Sequence, residues 1–329
     1  MSSADDNNTI NGGLAGTNGG NDKDSAGINT GLLPSWLGFT ATTRQNDLDT
    51  AVTISFQPGA GGTGALQGGN STNAETENRQ AFLTFGDKSW GSVKVGKDLG
   101  IFGSTAILND MTLLGVGAGN STAGNTTTLG GIGTGYIYAD WIGQIAYTTP
   151  NMNGFQLTAG ITQPWNAGGI LNGNSAVSTG STDEFGFQGQ GSFSWTGDFA
   201  GKVWAGFFSQ EVTNIGTPDA LGVVTNGSSD RANAFEAGVS TSLMNVNLVA
   251  YAYSGEGVGT TALLSQGFDA NGSMRDSDGG YVQGTYVIPT GTKLGGSYGI
   301  SNLDDKTADQ TAAGQLLVKE NKRLTLGAY

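Results

Sequence analysis

Seven charged side chains stand out in a chain that is otherwise poor in charge: Arg44, Arg79, Lys94, Lys97, Asp98, Asp110 and Asp140. Fixed charges of both signs can hold or steer ions. They do not make a catalytic set. The chain has no His and no Cys, which removes a Ser-His-Asp triad, a thiol nucleophile, the commonest metal ligand and every disulfide. No enzyme activity, cofactor or metal is expected. Asp276-Ser277-Asp278-Gly279 lacks the full ligand pattern of a calcium loop and reads as a solvated turn. Gly115-Val116-Gly117-Ala118-Gly119 has no following Lys-Ser/Thr and no βαβ frame, so it is not a phosphate loop.

The segments that must position these charges alternate strictly between apolar and polar. Leu48, Thr50, Val52, Ile54 and Phe56 oppose Asp49, Ala51, Thr53, Ser55 and Gln57. Phe155, Leu157, Ala159 and Ile161 oppose Gln156, Thr158, Gly160 and Thr162. This is the pattern of a strand with one apolar and one polar face. Thirteen such strands are expected, at 36–45, 47–57, 78–86, 90–98, 140–149, 154–163, 183–195, 199–211, 232–243, 246–254, 278–288, 292–301 and 320–329. By parity Arg44, Lys94, Glu184, Glu236 and Arg323 fall on polar faces. Arg79 and Lys97 fall with apolar residues, so either a bulge flips their register or they sit at a rim.

The net charge of −13 disfavours binding to nucleic acid, which needs Lys and Arg against phosphate. Glycine supplies 58 of 329 residues without a collagen period, and no apolar run is long enough for a transmembrane helix. Met1-Ser2-Ser3-Ala4-Asp5-Asp6 has neither the basic start nor the apolar stretch of a signal peptide. Short turns alternate with long polar connections at 58–77, 99–139, 164–182, 212–231, 255–277 and 302–319. Tilted strands joined this way are the signature of an antiparallel transmembrane β-barrel. The polar stretch 1–35 then lies on the long-loop side, ahead of a barrel over 36–329. Thirteen is odd, so at least one strand is expected to be missing before residue 1, with room for an even number after Tyr329. The other option is a strand within 1–35 near Ile28–Leu33.

Two stretches resemble a family. Asn78-Arg79-Gln80-Ala81-Phe82-Leu83-Thr84-Phe85-Gly86 followed by Trp90-Gly91-Ser92-Val93-Lys94-Val95-Gly96-Lys97 is similar to the paired strands before the constriction loop of Gram-negative general porins. Tyr147-Thr148-Thr149-Pro150-Asn151-Met152-Asn153-Gly154-Phe155 resembles the turn after that loop. The resemblance implies an all-β barrel on the order of 16 strands, of which about 13 are present here. It implies a homotrimer in outer-membrane lipid, with one early and two late strands absent. Segment 99–139 takes the place of the loop that folds into the lumen. Leu99, Ile101, Phe102, Ile107, Leu108, Met111, Leu113 and Leu114 could pack it on the inner wall. The resemblance also favours lumen positions for Arg79 and Lys97 near the constriction.

The expected function is passive diffusion of small hydrophilic solutes and ions. Arg44, Arg79, Lys94, Lys97, Asp98, Asp110 and Asp140 are the candidate pore-lining residues. Asp140 stands where the family commonly has a wall Arg, and Ala146 where another basic residue is common. With the acidic balance this points to weak cation preference. Trp36, Trp90, Trp141, Trp195 and Trp204 fit interfacial girdles. The rival is a non-channel surface β protein, such as a surface-layer or adhesin-like solenoid. A solenoid would show a fixed-length repeat, whereas the strand spacing here is bimodal.

Overall fold

Alternation becomes pairing wherever a two- or three-residue turn lets the chain reverse. Asn46 and Asp47 both have positive φ, at 49° and 61°, which is the backbone of a tight hairpin turn. They join β1 (Leu37–Gln45) to β2 (Leu48–Pro58). The strands that follow are β3 (Ala81–Asp87), β4 (Gly91–Leu99), β5 (Trp141–Thr148), β6 (Phe155–Thr162) and β7 (Gly186–Trp195). Then come β8 (Phe199–Gly216), β9 (Ser228–Leu243), β10 (Val246–Glu256), β11 (Asp276–Val287), β12 (Lys293–Leu303) and β13 (Glu320–Ala328). A short helix, α1 (Ser104–Asn109), lies between β4 and β5. The computed structural model describes residues 2–3, 10–11, 24–25, 31–33, 35–58, 76–113, 128–165, 179–181, 183–216, 227–269, 271–304 and 316–329.

Each of the thirteen strands pairs antiparallel with its neighbours in chain order, from β1 to β13. The architecture is the all-β barrel type, and β1 and β13 have one neighbour each along this path. Two strands run further than alternation alone suggests. β8 extends to Gly216 and β9 starts at Ser228, with a register shift between Val212 and Ile215. The expected strand near Ile28–Leu33 is not formed at Gly31–Leu33, and residues 28–30 lie outside the described residues.

Register assigns the faces. Thr40 faces Thr53, Thr53 faces Phe82, Thr84 faces Lys94 and Lys94 faces Ala146. Around the sheet the same face carries Gln188, Trp204, Glu236, Tyr251, Tyr281, Gly299 and Arg323. The other face carries Phe39, Val52, Ile54, Val95, Ile145, Leu157, Phe187, Phe207, Phe235, Val239, Leu248, Val282, Tyr298, Leu324 and Leu326, all exposed. An apolar belt of this extent has no place in water, where contiguous exposed apolar patches stay within a few hundred Å². It fits hydrocarbon.

The core lies inside the sheet. Residues 100–113 and 128–140 fold back against the inner face. Phe102, Ala106, Ile107, Ile132, Tyr136, Ile137 and Ala139 pack there with Trp204, Phe208, Tyr251, Tyr253 and Tyr281 of the wall. Phe102 is fully buried, which contributes about 1.5–3 kcal/mol for a side chain of this kind. Leu108 is the exception among the apolar residues of this loop that are described. It is 58% exposed. Residue Leu114 lies outside the described residues.

Tryptophan placement differs from the girdle expectation at one position. Trp36 and Trp141 meet at the long-loop end, with ring centroids 6.1 Å apart, and Trp195 stacks on Phe193 at a short-turn end. Trp204 is buried on the inner face and stacks on Tyr251. It is a core residue, because even positions of β8 point inward.

Candidate functional site

The inner loop is held by neutral and acidic acceptors on β7, β9 and β11. Gln188 Oε1, on β7, accepts hydrogen bonds from the backbone N–H groups of Ile101 (2.7 Å) and Phe102 (2.8 Å). Glu236 Oε2, on β9, accepts from Gly103 N–H and from Tyr251 Oη, both at 2.9 Å. Its other oxygen accepts from Gln190 Nε2 at 3.0 Å. Gln283, on β11, accepts from Met111 N–H at 2.7 Å and donates to the Asn109 carbonyl at 2.8 Å. Tyr281 Oη donates to the Ala106 carbonyl at 2.8 Å. These bonds satisfy loop backbone groups that burial would otherwise leave without partners, at about 1–3 kcal/mol each. Alternating Gln188 and Gln190 were visible in the sequence. Being neutral, they drew no attention as functional residues.

Asp110 is a loop anchor and not an exposed pore charge. It is 3% exposed and accepts from Tyr136 Oη (2.7 Å), Thr112 Oγ1 (2.7 Å) and Thr112 N–H (2.9 Å). Arg323 reaches it from β13 at 3.8 Å. Burial and the adjacent Asp110 carboxylate push the Tyr136 hydroxyl well above the ordinary phenol range, so it stays protonated as the donor.

Arg79 precedes β3, outside the ladder, so strand parity does not govern it. Its guanidinium lies buried over the Trp141 ring at 5.7 Å, donates to Glu77 at 2.6 Å and donates to the Leu32 carbonyl at 3.0 Å. It ties segment 31–33 to the wall and is not open to the pore. Lys97 pairs with Ala81 and Gly143 in unbroken register, on the face of Val95 and Ile145. The lumen placement implied by the family resemblance does not hold for it, since no bulge flips β4.

Asp140 lies just ahead of β5 with φ of 58°. Its carboxylate accepts from Trp141 N–H at 2.7 Å and its carbonyl from Gly100 N–H at 2.8 Å. Burial pushes its carboxyl above the usual aspartate range, with nearby Lys97 opposing that shift and Glu77 adding to it. Glu184 is exposed at a strand end and pairs with Arg231 at 2.8 Å, while Arg231 also pairs with Glu211 at 3.0 Å. Parity had put Glu184 inside. It lies ahead of β7, outside the ladder.

Arg44 and Lys94 are the accessible cations on the inner face of β1 to β4, and half-buried Lys202 of β8 and exposed Lys293 of β12 share that face farther round the sheet. Lys94, 32% exposed, ion-pairs with Asp98 and lies 5.1 Å from the centre of the Phe82 ring. Asp98 also accepts from Gln80 Nε2 at 2.8 Å. Arg44, 47% exposed, sits at the short-turn end among Asp49 (2.5 Å), Asp87 (3.0 Å) and Asp47 (3.6 Å). Between these clusters the wall is hydroxyl-bearing, and Thr40 and Thr53 share a hydrogen bond at 3.0 Å. Such a surface can pass hydrated ions and polar solutes without holding them.

The sequence model of the Gram-negative porin family matches residues 7–316. A search of curated protein sequences finds no match. Among solved structures, the outer membrane channel DcaP of Acinetobacter baumannii superposes with a TM-score of 0.64 at 16% identity, over 98% of this chain and 80% of that one. The anion-selective porin of Comamonas acidovorans gives 0.55 at 14% identity, over 91% and 74%. A trimer form of OmpT of Vibrio cholerae gives 0.54 at 17% identity, over 94% and 78%.

Proposed function

The chain belongs to the Gram-negative porin family and is an outer-membrane β-barrel channel, and from that premise we propose that it passes small hydrophilic solutes and ions by passive diffusion, with weak preference for cations. One observation carries this reading: the sheet has an exposed apolar outer belt and a hydroxyl-bearing inner wall along β1 to β4, exposed at Thr40 and Thr42 and half-buried at Thr53 and Thr84. Solutes would pass between that wall and α1, with Thr40, Thr42, Thr53 and Thr84 on one side and Leu108 on the other. The long-loop end faces outward from the cell.

The cation preference rests on the accessible charges. Arg44 is surrounded by three aspartates and Lys94 is matched by Asp98. On the wall of β1 to β4 both accessible cations have acids beside them, so the field along that wall is neutral to negative and favours cations modestly. Asp110 contributes little to that field, because it is sealed in the loop. The Comamonas porin of the same fold is anion-selective. We also propose a homotrimer, the form recorded for the Vibrio protein.

Liposome swelling tests the reading. Vesicles holding the refolded protein should swell in arabinose and glucose and slowly or not at all in raffinose. Equal swelling with and without protein would contradict it. Chemical cross-linking in detergent should give a three-chain band, and a single-chain band alone would remove the trimer.

A further inference from the structure

The connection between β10 and β11 reads as a polar external loop in the sequence, yet its residues 257–269 are almost all buried. Val258, Leu263, Leu264 and Phe268 belong to the same apolar cluster as Phe102, Tyr136 and Tyr251. The segment is pinned to the inner loop by Tyr138 N–H, which donates to the Thr261 carbonyl at 2.8 Å, in a bridge between Tyr138 and Ala262. It is also closed on itself. Leu264 N–H donates to the Val258 carbonyl at 2.9 Å. Arg275, buried at the neck, donates to the carbonyls of Gln266 (2.8 Å) and Phe268 (2.5 Å). Gly259 has φ of 70°, and a Cβ there would lie 1.8 Å from the Ser265 carbonyl oxygen, so the turn admits only glycine.

We infer that residues 257–269 are a second constriction element, which with the loop between β4 and β5 fills the lumen along β7 to β12 and confines solutes to the wall of β1 to β4. Four apolar side chains would be left in water if this segment pointed outward. Packed inside, they cover the constriction loop from the long-loop end. The inner faces of β10 to β12 are mostly buried, whereas Thr53, Thr84 and Lys94 on the inner faces of β2 to β4 are half-buried. The inference rests on the channel reading and adds which loops set the pore's width.

The test compares the full chain with a variant in which residues 258–274 are replaced by Asn-Gly between Gly257 and Arg275. Those two residues already face each other, with Gly257 N–H donating to the Arg275 carbonyl at 2.9 Å, so a two-residue turn can close the hairpin. The expected result is single-channel conductance raised about two-fold or more, with raffinose now admitted, since conductance follows pore section. A parent that conducts and a trimmed variant with the same conductance would overturn the inference and leave the channel reading intact. A folded parent that does not conduct would overturn both. Should the trimmed chain fail to fold, the full-length double variant Tyr138→Cys with Ala262→Cys decides, because the native chain has no other thiol. The bond should form on oxidation with conductance unchanged. Failure to form, or a loss of half the current on oxidation, would overturn the inference.

Discussion

The carboxylate of Glu236 accepts the backbone N–H of Gly103, 133 residues away in sequence, at 2.9 Å. That bond attaches the start of α1 to the opposite wall. Gly103 has φ of 78° and α1 has no side-chain cap, so Glu236 supplies from β9 the acceptor that the helix entry lacks locally. All three groups bonded to Glu236 are donors, which suits a carboxylate and no other side chain of its size.

Glu236→Gln should therefore loosen the loop. An amide has one acceptor oxygen and turns two hydrogens toward donors, so at least one of the three bonds is lost, at about 1.5–3 kcal/mol for a bond to a charged group. The expected outcome is a lower heat-denaturation temperature on electrophoresis and noisier single-channel current. Unchanged values for both would show that Glu236 does not hold the loop.

Gly299→Ala should displace the inner loop from the other side. A Cβ at Gly299 would lie 2.0 Å from the Thr134 carbonyl oxygen, beside the bond from Gly135 N–H to Ser301 Oγ. Overpacking of this kind costs about 1–3 kcal/mol. Reduced thermal stability together with a changed conductance is expected. A variant identical to the parent would mean that residues 134–135 do not rest on β12.

Asp140 gives a pH dependence with a definite sign. Burial raises its carboxyl pKa in the folded chain above the unfolded value. Its ionisation therefore costs the folded state stability as pH rises through the aspartate range, and costs nothing once both states are protonated. Asp140→Asn keeps an acceptor for Trp141 N–H and tolerates the positive φ. The variant should be more heat-stable than the parent at pH 7 and equal to it below about pH 3, where the unfolded carboxyl is also protonated. The reverse order at pH 7 would contradict this account of Asp140.

Lys94→Gln should raise cation preference. It leaves Asp98 without its cation on the inner face, where each fixed charge weighs on ion partition. Reversal potential in a salt gradient should move further in the cation direction, while conductance stays within about two-fold. No movement would place Lys94 off the ion path.

The strands were legible in the sequence because inner and outer faces differ in polarity at every second residue, and that difference persists through all thirteen. Side chains bound to the ladder could be assigned a face: register puts Arg44 and Lys94 inside, and parity gives the same side. Residues beyond the ladder could not. Arg79 precedes β3, and its direction is set by Leu32, Glu77 and Trp141. Lys97 follows parity, and the family resemblance misled there. Charge was a poor guide to exposure for Asp110, whose partners come from its own loop and from β13. The inward segment 257–269 was missed because glycine, serine and threonine gave it the look of a solvated loop. Its signal was the spacing of Val258, Leu263, Leu264 and Phe268, too apolar for water.

Single-channel current in a planar bilayer under a KCl gradient tests the central claim most directly. A water-filled path along β1 to β4, lined by Arg44, Lys94 and the acids beside them, should give stepwise conductance with a small reversal potential in the cation direction. Silence from a folded, membrane-inserted barrel would contradict the channel. A strongly anion-directed potential would contradict the charge arrangement assigned to its wall.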